Sequence, residues 1–120
     1  MKAENHATVL SVSDLAQAKS YYIDTLGFEL DFDFEMGQYA GVKMDGVTIH
    51  LTAGDFVAER IGKGSVYIFC DEIHGYFEAV KAKGANVLSE PADQPYMMRD
   101  FTVVDPDGNM LSFGQPISPD

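Results

Sequence analysis

The chain has 120 residues, 46% hydrophobic and 22% charged, which suits one folded domain and argues against disorder. Its formal net charge of −11 excludes an ordinary nucleic-acid-binding surface, which needs clustered Lys and Arg; it fits either a merely soluble surface or a field that attracts cations. The single cysteine, Cys70, allows no intrachain disulfide and no Cys-based metal site, and no apolar run reaches membrane-spanning length, so the expected setting is the reducing cytoplasm.

Thr8–Val12 alternates and reads as a strand, and Ser13-Asp14 reads as a helix N-cap. Leu15, Ala18, Tyr22 and Leu26 then fall on one helical face, which Gly27 terminates. Phe28–Phe34 alternates apolar with acidic residues, predicting a strand with Phe28, Leu30, Phe32 and Phe34 packed on one face. Asp45-Gly46 predicts a two-residue hairpin turn between Tyr39–Met44 and Val47–Thr52. That register puts Ala40, Val42, Met44, Val47, Ile49 and Leu51 on one apolar face. Tyr39, Gly41, Lys43, Thr48, His50 and Thr52 take the other, mixed face, as a ligand cavity would require.

Residues 53–64 hold three glycines without alternation and read as a connecting loop. The pattern then restarts. Ser65–Cys70 reads as a strand, and Asp71-Glu72 opens a helix with Ile73, Phe77 and Val80 on one face, closed by Gly84. Asn86–Ser89 reads as a short strand, Glu90–Met97 as a loop with two prolines, and Met98–Gln115 as a final hairpin around Asp105-Pro106-Asp107-Gly108-Asn109. Both helices run 13 residues from Asp to Gly, Asp14 to Gly27 and Asp71 to Gly84, and both halves end in an Asp-Gly hairpin. This internal repeat predicts an α+β fold: two βαβββ modules, 7–52 and 65–115, form a curled mixed sheet around a cleft, with helices on the outer face.

These features resemble the vicinal-oxygen-chelate superfamily, which includes glyoxalase I, bleomycin-resistance proteins and extradiol dioxygenases. The carriers are Val12-Ser13-Asp14-Leu15 with Tyr21-Tyr22 and Leu26-Gly27-Phe28, then Lys83-Gly84-Ala85, then Asp105-Pro106-Asp107-Gly108-Asn109. Val47–Leu51 and Met98–Phe101 look most like the bleomycin-resistance branch. That branch implies a homodimer that binds a bulky cationic antibiotic at the subunit interface without chemistry. In the metal-using members four inward side chains hold a divalent ion, and the corresponding positions here are Thr8, His50, Ser65 and Ser112. Only His50 among them is a good ligand, because neutral hydroxyls replace imidazole and carboxylate.

A weaker metal alternative joins His6 to His50 with a partner such as Glu4 or Asp100. His74 reads as a helix-surface residue and Cys70 as packing. The cleft candidates are Tyr39, His50, Phe56, Tyr67, Phe69, Tyr96, Met98, Phe101 and Ser112. The facing of Phe101 depends on the last turn: four residues place it inward, and five send Asp100 and Thr102 inward instead. Arg99 is open to an acidic ligand or to a structural carboxylate. The leading expectation is a metal-independent, cofactor-free protein that sequesters a cationic or aromatic small molecule, with no nucleic-acid or membrane partner. The rivals are a metal-dependent lyase or oxygenase and a diverged member with a filled cleft.

Overall fold

In the computed structural model, which describes residues 1–118, each half of the chain forms a four-stranded mixed sheet with a helix packed on one face. The first comprises β1 (Thr8–Ser11), α1 (Leu15–Ser20), β2 (Glu29–Phe34), β3 (Tyr39–Met44) and β4 (Val47–Thr52), in the order β1-β4-β3-β2. The second comprises β5 (Ser65–Phe69), α2 (Ile73–Ala82), β6 (Asn86–Asp93), β7 (Met98–Val104) and β8 (Met110–Pro116), in the order β5-β8-β7-β6. β1 pairs parallel to β4 and β5 parallel to β8; the other pairs are antiparallel. Residues 55–60 form a short helical turn within the connecting loop. No helix of the described residues is long and apolar enough to cross a membrane.

The α1 helix starts where its cap chemistry puts it: the Asp14 carboxylate accepts the Gln17 N–H at 3.0 Å. Beyond Ser20 the helix widens, with Leu26 N–H donating to Tyr21 C=O, and Gly27 ends it at φ +86°. Tyr22 and Leu26 are fully buried against the sheet. α2 is capped from a distance, its Ile73 N–H donating to the Gln115 side chain at 3.0 Å.

The Asp45-Gly46 turn sets the predicted register, with Met44 opposite Val47, Val42 opposite Ile49 and Ala40 opposite Leu51. Ala40, Val42, Ile49 and Leu51 are fully buried, and each larger aliphatic contributes about 1.5–3 kcal/mol by leaving water. β2 departs from the expectation that four apolar residues share a face. A bulge between Leu30 and Phe32 pairs Leu30 with Val42 but Phe32 with Gly41. Phe28 is buried, whereas Phe32 and Phe34 turn to the face opposite α1. The same bulge aims Asp33 at α1, where Lys19 pairs with it at 2.7 Å and with Glu35 at 3.2 Å.

β6 also runs further than expected, to Asp93. Register shifts at Ser89 and Ala92 absorb Pro91 on this edge strand, where a missing N–H costs no ladder bond. The last turn has five residues, because Val104 pairs with Met110. That turn also fastens the two modules together. Buried Asp105 accepts the Asp107 and Asn109 N–H groups, the Tyr22 hydroxyl and the Asn109 amide, each at 2.9 Å. Buried Asn109 donates to Ser11 C=O and accepts Gly64 N–H, and Asp107 accepts Ser13 N–H. One core runs across both modules, from Leu10, Tyr22 and Leu51 to Phe77, Phe101 and Phe113.

Candidate functional site

The face of the first sheet turned from α1 carries an aromatic cluster. Alternation along the β3–β4 hairpin points Tyr39 and His50 to this side, and the Tyr39 hydroxyl lies 2.9 Å from His50 Nδ1. The Phe32 ring meets His50 edge-on at 5.0 Å and stacks on Tyr39 at 6.1 Å. It lies over Gly41, where any Cβ would overlap it. Phe32 was not among the expected cleft residues. Its signal in the sequence is Gly41, a glycine inside a strand, which marks close approach of another group.

The corresponding face of the second sheet is built around a carboxylate. The five-residue turn sends Asp100 and Thr102 to this side. Asp100 is 7% exposed. Its carboxylate accepts the Tyr67 hydroxyl at 3.0 Å, the Tyr96 hydroxyl at 2.5 Å and the Gln94 amide at 3.1 Å. Tyr67 reaches Asp100 by crossing Gly114, whose missing side chain leaves the space. Burial, followed by the bond to Asp100, pushes the Tyr67 phenol up to about 12, and the bond to Asp100 raises that of Tyr96. Thr102 and Ser112 share a hydrogen bond at 2.7 Å, and Phe69 lies 5.3 Å from Tyr67 with 73% of its surface exposed.

The expected cleft residues therefore divide. Tyr39 and His50 meet on one face; Tyr67, Phe69, Tyr96 and Ser112 gather on the other with Asp100. Phe56 is exposed on the connecting turn, beside Gly54, and half-buried Met98 pairs with Pro116 at the start of β7. Phe101 is a correction: fully buried and stacked on Phe113 at 5.4 Å, it belongs to the core beneath α2 because the turn has five residues. Arg99 takes the structural option, bonding Asp93 at 2.6 Å and lowering its carboxyl pKa. His74 is exposed on α2. Cys70 is half-buried, and burial with the Asp71 charge raises its thiol pKa.

The carried-over metal positions also need correction. Parallel pairing sets Val9 beside His50 and Tyr67 beside Ser112, while Thr8 pairs with Ile49 on the core side and Ser65 sits beside Met110. Thr8 misses the face by one residue although α1 is capped by Asp14 as counted, and Ser65 shares the face of Tyr67 and Ser112 but lies two residues short of their pairing level. His6 lines a cavity of about 740 Å³ with Thr8, Met44, Ile68 and Tyr76, wedged between the β3–β4 turn and the start of α2; His50 does not line it. A valine, one imidazole, a tyrosine and a serine do not fit a divalent ion, and among the described residues no three His, Cys, Asp or Glu side chains cluster to hold one.

Comparison with curated proteins gives no match. Solved structures do match along the whole chain. The bleomycin-binding protein of Streptomyces verticillus, in complex with copper(II)-bleomycin, superposes with a TM-score of 0.75 at 26% identity, covering 94% of this chain and 96% of that one. TnmS3, an antibiotic-binding protein from Streptomyces sp. CB03234, gives 0.75 at 26% identity, covering 97% and 99%. A superfamily member from Sphaerobacter thermophilus gives 0.80 at 23% identity, covering 95% and 98%, a likeness of fold. The family model for the Glyoxalase/Bleomycin resistance protein/Dioxygenase superfamily matches residues 5–113, and on this fold and that match the chain belongs to the superfamily.

Proposed function

We propose that the protein is a metal-independent small-molecule binder that sequesters a bulky aromatic or cationic compound of the antibiotic class, acting as a cytoplasmic homodimer. The observation that carries this reading is the chemistry of the two faces turned from the helices. Each offers a partly exposed ring, Phe32 at 37% and Tyr67 at 37%, beside polar groups, Tyr39 and His50 on one face and Tyr96 and Asp100 on the other, and among the described residues no three His, Cys, Asp or Glu side chains cluster there. Rings of this kind stack on flat or cationic ligands. The likeness to two antibiotic-binding proteins at 26% identity supports the same class of ligand. A net charge of −11 favours the approach of a cation.

Two separate half-sites support the dimer. Among the described residues, no hydrogen bond or ring contact links the Tyr39–His50 face to the Tyr67–Asp100 face within one chain. β1 and β5 each leave one sheet edge unpaired. Two copies, with the first module of one facing the second module of the other, make a complete cleft from the two halves.

A thermal-shift titration with metal-free bleomycin and a panel of cationic aromatic compounds tests the function. A ligand at a hundred times its Kd stabilises the fold by about 2.7 kcal/mol and raises Tm by several degrees. Absence of any shift across the panel refutes the binding role. Near-stoichiometric, tight metal uptake in elemental analysis, after incubation with Zn²⁺, Ni²⁺, Fe²⁺ or Mn²⁺, refutes metal independence.

A further inference from the structure

We infer that Asp100 is the residue that makes this cleft select positively charged aromatic ligands over neutral ones of the same shape. The inference rests on the binding role proposed above and assigns its charge preference to one side chain. Asp100 is 7% exposed and sits on β7, facing the same side as the Tyr67 and Phe69 rings. Burying a carboxylate without a partner is costly, so its surroundings must supply compensation. Here the compensation is entirely neutral: Tyr67 and Tyr96 hydroxyls on Oδ2 and the Gln94 amide on Oδ1.

The ion pairs of the described residues involve Lys19, Lys43 and Arg99, and none reaches Asp100. Arg99 is the next residue along the strand, but alternation turns it to the other face, where it holds Asp93. No protein cation among the described residues therefore faces the Asp100 carboxylate. Oδ1 accepts one bond and keeps a lone pair. The Tyr67 ring, 37% exposed, is tied to the carboxylate through its hydroxyl. A flat cation stacked on that ring meets the ring's π-face and the Asp100 field together, whereas a neutral isostere meets only the first.

Three features of the chain serve this arrangement. Gly114 leaves the space through which Tyr67 reaches Asp100. The five-residue turn sets the facing of Asp100. The Gln94–Met97 segment, with Met97 at φ +66°, brings Gln94 and Tyr96 onto the same carboxylate.

The test compares 2-naphthamidine, a cation, with 2-naphthamide, its neutral isostere, by calorimetric titration of the full chain. The wild type should bind the amidine about tenfold more tightly, and Asp100→Asn should abolish that preference while leaving naphthamide affinity within about twofold. Asp24→Asn, the same charge change on exposed chain beyond α1, should keep the preference. If Asp100→Asn keeps the tenfold preference, the inference falls and the diffuse field of the chain is responsible. If neither compound binds the wild type, the binding role and this inference fall together.

Discussion

Replacing Asn109 with Ala tests whether the last turn holds the two modules to one another. The asparagine side chain is 0% exposed and makes three hydrogen bonds, all at 2.9 Å: to Ser11 C=O, to the Asp105 carboxylate and from Gly64 N–H. Two neutral bonds at about 1 kcal/mol each and one to a charged group at about 1.5–3 kcal/mol sum to roughly 3–5 kcal/mol. Ser11 C=O retains the Gly62 N–H at 3.3 Å, and Asp105 retains Tyr22, so the expected loss is at the lower end, about 3 kcal/mol. In urea, followed by far-UV circular dichroism, the midpoint should fall by about 2 M for a slope near 1.5 kcal/mol/M. Asn109→Asp should lose at least as much, because a carboxylate cannot donate to Ser11 and repels Asp105. A loss below about 1 kcal/mol for both variants would refute the coupling role.

Gly114→Ala should displace the Tyr67 ring from Asp100, because the new Cβ overlaps it. A 295 nm titration would then show the Tyr67 phenol falling from about 12 toward its ordinary value. Tyr67 ionises less readily folded than unfolded, so its stabilising contribution is complete below about pH 10 and is lost as pH rises toward 12. Unfolding measured at pH 9 and 11 should show that slope in the wild type and a shallower one in Gly114→Ala. His50→Ala should weaken binding of any ligand found in the panel by roughly fivefold or more, with Tm of the free protein changed by only a few degrees. Unchanged affinity would remove His50 from the site. Light scattering should report a mass near twice the 13.2 kDa of one chain, and a monomer at micromolar concentration would refute the shared cleft.

Much of the fold was legible because its signals are local. Asp45-Gly46 admits one short turn, and that turn alone assigns Ala40, Val42, Ile49 and Leu51 to the core and His50 to the opposite face. The repeat of cap, helix, C-terminal glycine and hairpin marks two modules. What escaped was register that no local pattern encodes. The β2 bulge arises from partners distant in sequence, Lys19 drawing Asp33 to one side and Gly41 making room for Phe32 on the other. The five-residue turn is held by Tyr22 and Ser11, reached only when the modules meet, and it decides that Phe101 is core and Asp100 takes the opposite face. The parallel pairing of β1 with β4, which sets Val9 rather than Thr8 beside His50, is likewise a long-range choice. Side-chain alternation tells which residues share a strand face. Only tertiary packing tells which face is buried after a bulge or a longer turn, because one added residue reverses every side chain beyond it.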